Sequence, residues 1–276
     1  MGFFERLKNG WTITKASLNF IKTDPEFLVL PIAVGIIMLF VLASFFVSTV
    51  FLRATLGNEL LYGFLAIYYL VSFSLLYFIQ AMVLEAARLR FAGKNPTLAG
   101  AFDLAMKKIR RIFALAVIAS VISIISAVLR ERGESKGGLG GLLLQFLGAA
   151  VGISWSIVSY FSLPVLLYED VGVIDSFKRS VDLFKKTWGE NVTANFTLGV
   201  VYFPGLVLLL LGIIVLFVIP AIGFVIILLS FALLIMGAVV GSVAKSVIAE
   251  ALYEYASTGK VPNGMPEQAV KNFYSK

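Results

Sequence analysis

From Phe196 to Ala244 the chain runs for forty-nine residues without a charged side chain. One bilayer crossing needs roughly 20 apolar residues, so this stretch is about twice too long for a single helix. It is interrupted near its middle by Ile219-Pro220-Ala221-Ile222-Gly223, where proline removes a backbone donor and glycine permits a tight turn. Such a run has few ways to fold. It predicts a transmembrane hairpin, with spans at 192–217 and 222–244 and almost nothing outside the lipid between them.

The same unit recurs twice earlier. Uncharged runs at 27–52 and 60–84 flank a short link holding Arg53, Asn58 and Glu59. Runs at 112–129 and 142–168 flank Arg130–Lys136 and the glycine-rich Gly137–Gly141, expected to be the most flexible piece of the chain. Only 14% of the 276 residues are charged and the mean hydropathy is +0.95, against roughly 25% charged in soluble domains. The expected fold is therefore all-α: a polytopic membrane protein with six transmembrane helices arranged as three hairpins. Residues 1–6 show no short apolar core followed by a small-residue cleavage site, so the first span is expected to act as its own targeting signal.

Each hairpin is preceded by a segment whose apolar residues recur at helical spacing. In 3–22 the stripe is Phe4, Leu7, Trp11, Leu18 and Ile21, with Thr14 its polar member. In the second segment it is Leu98, Phe102, Ala105, Ile109 and Ile112, and in the third Ile174, Phe177, Val181, Phe184 and Trp188. Basic residues lie off the stripes: Lys15 and Lys22; Lys107, Lys108, Arg110 and Arg111; Lys178, Arg179, Lys185 and Lys186. Amphipathic helices of this kind lie in the membrane interface. Their cations attract anionic lipid headgroups, at about 1 kcal/mol per residue near the surface. Between the first of them and its span, Thr23-Asp24-Pro25-Glu26 offers capping and turn chemistry.

Nineteen of the 23 Lys and Arg fall in the N-terminal segment, the links after spans 2 and 4, and the tail, against four on the other side. The positive-inside rule then places both termini in the cytoplasm of a multi-pass cell-membrane protein. This explains the net charge of +7 without nucleic acid as a partner. Anionic lipids on the cytoplasmic side are the expected partners.

The segments also repeat. Residues 13–22 can be laid over 177–186, and 102–111 fits the same frame, with Ala16, Ala105 and Ser180 in register. Glu85, Glu169 and Glu250 close spans 2, 4 and 6, and Gly93-Lys94-Asn95-Pro96 resembles Gly259-Lys260-Val261-Pro262. The expected organisation is one membrane domain built from copies at 1–95, 96–170 and 171–276, each an interfacial helix plus a hairpin, the last with a cytoplasmic tail. Parallel copies of this kind surround an axis along the membrane normal.

Asp24-Pro25-Glu26-Phe27-Leu28-Val29-Leu30-Pro31 resembles the opening of a widespread, uncharacterised prokaryotic family of six-span membrane proteins. So does the run from Pro164 to Asp170 followed by Asp175-Ser176-Phe177-Lys178-Arg179-Ser180 and Trp188-Gly189. The pattern is more distantly similar to the membrane domain that accompanies some glycerophosphodiester phosphodiesterases. The resemblance implies an integral membrane protein and carries over no activity, since the chain has no histidine to serve a phosphodiesterase site.

With neither Cys nor His, disulfides and thiolate chemistry are excluded, and zinc, haem and histidine-based catalysis lose their usual ligands and bases. No metal, cofactor or enzymatic activity is expected. None of the six spans carries an ionisable residue at mid-depth, the usual flag of a proton-coupled carrier. What remains is subtler. Pro204-Gly205, near the middle of span 5, can break a helix and free a carbonyl for an ion or solute. Gln145 and Ser156 add polar groups to span 4, where Gly148, Gly152 and Ser156 share a face, as Gly237 and Gly241 do in span 6; small residues at this spacing serve close helix packing. Ser120, Ser123 and Ser126 line one face of span 3. Glu85, Glu169 and Glu250 form an acidic ring at a cytoplasmic mouth, or each pairs with a basic neighbour such as Arg88, Arg179 or Lys245. Two functional readings stay open. One is a passive channel or solute transporter, alone or as a homo-oligomer, with the polar faces of spans 3 and 4 and Pro204-Gly205 around a hydrated cavity. The other is a non-enzymatic lipid-binding or scaffold protein that presents its basic helices.

Overall fold

The computed structural model describes residues 3–186 and 199–272. All regular structure among them is helical: α1 (Phe3–Thr23), α2 (Val29–Phe91), α3 (Leu98–Lys107), α4 (Ile109–Lys136), α5 (Gly138–Ser159), α6 (Ser162–Tyr168), α7 (Val173–Lys186), α8 (Phe203–Val218), α9 (Pro220–Thr258) and α10 (Glu267–Asn272), with short 3-10 turns at Pro25–Leu28 and Gly199–Tyr202. The chain divides into two compact units. The first gathers Met1–Ile32, Val83–Leu98 and Lys185–Lys276, the second Ala33–Met82 and Ala99–Phe184.

Four stretches are long and apolar enough to cross a membrane: Gly63–Phe91, Ile109–Lys136, Gly138–Tyr168 and Pro220–Thr258. A fifth is the pair Trp11–Thr23 and Pro25–Val41, bent by 100°, if it counts as one span. The protein is thus a multi-pass membrane protein. The expected spans at 112–129, 142–168 and 222–244 fall in three of those stretches, and that at 60–84 overlaps Gly63–Phe91 over all but its first three residues. The other two depart from expectation. No turn separates 27–52 from 60–84; the backbone stays helical from Val29 to Phe91. The link between them holds Arg53, Ala54, Leu56 and Glu59, good helix formers, and no proline. For the span expected at 192–217, residues 192–198 lie outside the described residues, and α8 is 16 residues long.

The hairpin of α8 and α9 shows how such a pair holds together. Its turn sits where expected, with Ile219 as the joint and Pro220 opening α9, a position where the missing N–H costs nothing. Along α8 the buried residues are Gly205 and Gly212, seven apart. Along the apolar half of α9 they are Gly223, Ser230, Gly237 and Gly241, the first three again seven apart. A Cβ at Gly205 would meet the Leu234 side chain at 2.8 Å, and one at Gly212 the Ile227 side chain at 2.9 Å. Small residues every seven positions keep one close line between two slightly supercoiled helices, while Leu210, Ile214 and Phe217 stay more than half exposed. The sequence reading found only the pair Gly237 and Gly241; the governing period is seven.

The hairpin of α4 and α5 uses the same device. Ala119, Ser126 and Gly133 are buried on α4 and Gly141 and Gly148 on α5. Its turn is Gly137 and Gly138, at φ +61° and +59°, where a side chain would be strained. The link Arg130–Lys136 is helical, and Gly138–Gly141, within the stretch expected to be most flexible, opens α5. The link's alternating Arg, Glu and Lys favour helix, and the absence of a side chain at Gly133 lets Gln145 pass at van der Waals distance.

α5 gives way to α6 at Tyr160-Phe161. Pro164 has no N–H for the Tyr160 carbonyl and crowds it, so the helix breaks there. The Phe161 N–H turns instead to the hydroxyl of Ser180 on α7, 2.9 Å away. Phe161 to Leu167 are all buried, as are Ala81–Leu84 and, in α9, Ser246–Tyr253.

In α1, α3 and α7 the buried faces follow the expected stripes only in part: Thr14, Ile21, Ala105 and Phe184 are buried, as is Ile112 in α4. Ile13, Thr14, Ser17, Phe20 and Ile21 are buried in α1, Ala101 and Ala105 in α3, and Ser176, Ser180, Leu183 and Phe184 in α7, whereas Trp11, Phe102 and Ile174 are exposed. Small residues four apart (Ala101/Ala105, Ser176/Ser180) are buried, and on α1 and α7 large residues are buried with them. The second stripe is also cut at Lys108, between α3 and α4. Trp188 lies outside the described residues.

Candidate functional site

The ionisable groups sort into pairs within each unit. In the first, Arg90 reaches Asp24 with Nε at 2.8 Å from one carboxylate oxygen and Nη2 against the other, a two-pronged, charge-assisted contact. Asp24 is 6% exposed and makes no side-chain cap to the turn that follows; Arg90 takes the carboxylate that the sequence assigned to capping. The Asn263 side-chain amide donates to the Phe91 carbonyl at 2.9 Å, closing the end of α2. Both α2 and α9 end at a glycine with φ +74°, Gly93 and Gly259. Three residues on, Pro96 and Pro262 are both buried.

In the second unit, Arg179 Nε donates to both oxygens of Glu169, at 3.1 and 3.2 Å. This is the partner expected for Glu169 under the pairing alternative. Arg111 Nη2 donates to Asp170 at 2.6 Å and Lys178 to Asp175 at 3.0 Å. The Arg111 hydrogen bond, helped by its charge, holds the Asp170 carboxyl below its usual range. Glu85 is half-buried near the end of α2 and Glu250 is 1% exposed within α9. Lys15, Lys22, Lys107, Arg110 and Lys185 are exposed, and Lys108 is half-exposed. The Lys186 side chain lies outside the described residues.

Of the span residues singled out, Pro204 stands in the first turn of α8, so it starts a helix where a break was expected. Gly205 is one of the glycines packed on α9. Gln145 is half-buried opposite Gly133. Ser156 is exposed and gives its hydroxyl hydrogen to the Gly152 carbonyl at 3.0 Å; Ser120 does the same to Ala116 at 2.7 Å. Ser126 instead crosses to α5 and donates to the Gly148 carbonyl at 2.7 Å.

The polar faces of α4 and α5 do meet. Tyr69, Ser123, Ser126, Arg130, Trp155 and Ser156 line a cleft of about 350 Å³ within the second unit. Its origin is a substitution in the close line of α5: after Gly141 and Gly148, the next position at period seven is Trp155. The indole needs room that a glycine does not, and it is held edge-on to Phe177, ring centres 5.4 Å apart. Arg130, counted from sequence as a charge beyond the span, borders this space. A Cβ at Gly148 would meet Arg130 Cγ at 2.8 Å, and one at Gly152 would lie 3.3 Å from Arg130 Nη2. The side chain therefore runs along α5 from Gly148 to Gly152. The clue in the sequence was the pair of glycines that makes space for it.

The model of a family of unknown function, DUF6159, matches residues 60–263. The chain belongs to this family. The match starts within α2 and ends at Asn263, so it takes in α3 to α9 and the end-closing contact to Phe91. Membership of DUF6159 agrees with the uncharacterised membrane family that the sequence resembles, and nothing in the comparisons supports a likeness to glycerophosphodiester phosphodiesterases. No curated protein and no solved structure matches the chain.

Proposed function

We propose that this DUF6159 protein is a non-enzymatic membrane protein that gathers anionic lipids at its cytoplasmic face. The observation that carries this reading is the division of its basic residues. Arg90, Arg111, Lys178 and Arg179 are matched to carboxylates, while Lys15, Lys22, Lys107 and Lys185 stay exposed on the helices that precede the hairpins, as does Arg110 in the first turn of α4. In those helices large apolar residues such as Trp11, Phe102 and Ile174 are exposed as well, which suits a helix resting in headgroups. The 100° bend between α1 and the following helical segment fits an interfacial helix leading into a span.

The finer architecture belongs to the same reading: three hairpins, each after an interfacial helix, with both termini in the cytoplasm of a cell-membrane protein. Its supports are the shared spacing of small buried residues in α3 and α7, the period-seven line in both described hairpins, and the matched ends of α2 and α9. The channel alternative drew on Pro204-Gly205 and on the polar faces of spans 3 and 4. Pro204 lies in the first turn of α8 and Gly205 packs against Leu234, while the polar faces meet at the cleft beside Arg130.

The test uses full-length protein in vesicles of mixed phosphatidylglycerol and phosphatidylcholine, excised with its lipids in polymer discs. Phosphatidylglycerol is expected above its bulk fraction. A variant with Lys15, Lys22, Lys107, Arg110 and Lys185 changed to Gln is expected to lose that excess. Selective flux of an ion or small solute through the same vesicles would overturn the reading in favour of a channel.

A further inference from the structure

We propose that the cleft beside Arg130 holds the phosphate of an anionic membrane lipid, with the acyl chains on the apolar flank of α4 and α5. This site does not use the exposed cations of the basic helices, although its Trp155 borders Phe177 of α7. Side chains on a helix lean towards its N-terminus, and that of Arg130 follows α5 across one turn, about 6 Å, from Gly148 to Gly152. With the N-terminus of α4 on the cytoplasmic side, the guanidinium points towards the membrane interior. An Arg that snorkels would reach the other way, into the headgroup layer. Arg130 is exposed rather than enclosed, so its charge is open to a ligand from the membrane, and among the described residues no carboxylate forms an ion pair with it.

What surrounds it is neutral: the hydroxyls of Ser123, Ser126, Ser156 and Tyr69, and the Trp155 indole. A phosphate oxyanion supplies the missing charge, and the planar guanidinium fork meets two of its oxygens at once. The space, about 350 Å³, suits a headgroup and is too small for a whole lipid. Val121, Ile125 and Ile153, on the same two helices, are 52%, 47% and 63% exposed. Acyl chains attached to the phosphate would cover that flank; free phosphate would leave it bare.

Trp155 can report occupancy. In full-length protein carrying Trp11→Phe and Trp188→Phe it is the sole indole, and phosphatidylglycerol brominated on its acyl chains is expected to quench it. Half-quenching should need about tenfold less of this lipid than of brominated phosphatidylcholine, the factor that one charge-assisted hydrogen bond supplies. Arg130→Gln should abolish the preference, while Arg132→Gln, two residues on and equally charged, should keep it. Circular dichroism confirms that each variant is folded. Equal quenching by the two lipids, or a preference that survives Arg130→Gln, overturns the proposal. Release of the quench by inorganic phosphate overturns the lipid as occupant and leaves the ion in its place. Enrichment of anionic lipid around the protein through Lys15, Lys22, Lys107, Arg110 and Lys185 should be unchanged in Arg130→Gln, so the two readings can fail separately.

Discussion

The two units solve one packing problem with opposite choices. In the first, the line of small residues between α8 and α9 is unbroken in its described length, and the Asp24 carboxylate of the Asp24–Arg90 pair is buried. In the second, the equivalent line is interrupted by Trp155, and the pairs at Asp170 and Asp175 lie in the open. Close approach of glycine-lined helices leaves no space for water or solute. One indole in the same register opens a cleft, and Arg130 turns into it. The contrast is between the two hairpins: one is closed along its length, the other opens at Trp155.

The largest expected effect comes from exchanging buried and exposed pairs. Arg90→Ala strands the Asp24 charge in a dry place and should cost about 3 kcal/mol in unfolding from detergent micelles. Arg111→Ala leaves Asp170, 93% exposed, to water and should cost far less. Equal effects would erase the distinction between the units. Next, Gly223→Leu drives a side chain into Leu216 and should cost about 2 kcal/mol by overpacking. Gly35→Leu, with nothing within 4 Å of its Cβ position, is the control expected to be neutral. Ser180→Ala removes the acceptor for the Phe161 N–H and should cost about 1 kcal/mol. Ser17→Ala should cost less, because that hydroxyl serves only the Ile13 carbonyl of its own helix, at 3.1 Å.

Trp155→Gly restores the small residue to the line and should close the cleft without unfolding the hairpin. The chain has no cysteine, so Ser123→Cys provides a single thiol; its reaction with a water-soluble maleimide should slow several-fold when Trp155→Gly is added. An unchanged rate would mean that the indole does not hold the helices apart. The smallest effect concerns pH. Arg111 depresses the Asp170 carboxyl, so its folded pKa lies below the unfolded one. The pair's contribution is present above the ordinary carboxylate range, near 3.9, and is lost as pH falls through the folded value. The small stability difference between wild type and Asp170→Asn should therefore close under acid, and high salt should remove it at any pH.

Much of the fold could be read from residues alone, for identifiable reasons. The turn at Ile219-Pro220 was legible because proline acts locally. The unbroken α2 was not, because the charged link at 53–59 looks like a boundary in hydropathy while its residue types favour helix. The docking faces of α1, α3 and α7 were not legible. Small residues such as Ala101, Ala105, Ser176 and Ser180 are buried on them and carry little hydropathy signal, although small residues let helices approach closely. Glu169 and Arg179 are ten residues apart, near enough in sequence to be matched. Asp24 and Arg90 are 66 apart and become neighbours only through the fold. Arg130 was counted as a topology signal, since nothing short of the α4–α5 packing reveals which way its guanidinium turns.

The discontinuity of the first unit has a consequence for biosynthesis. Its parts leave the ribosome in three instalments, and the amide that closes α2 at Phe91 belongs to Asn263, 172 residues later. The second unit has all of its residues by Phe184. Insertion into the membrane thus delivers the open, cleft-bearing half first. The half with the buried Asp24 carboxylate waits, its first helix and the end of α2 already synthesised, until the last long helix arrives to enclose them.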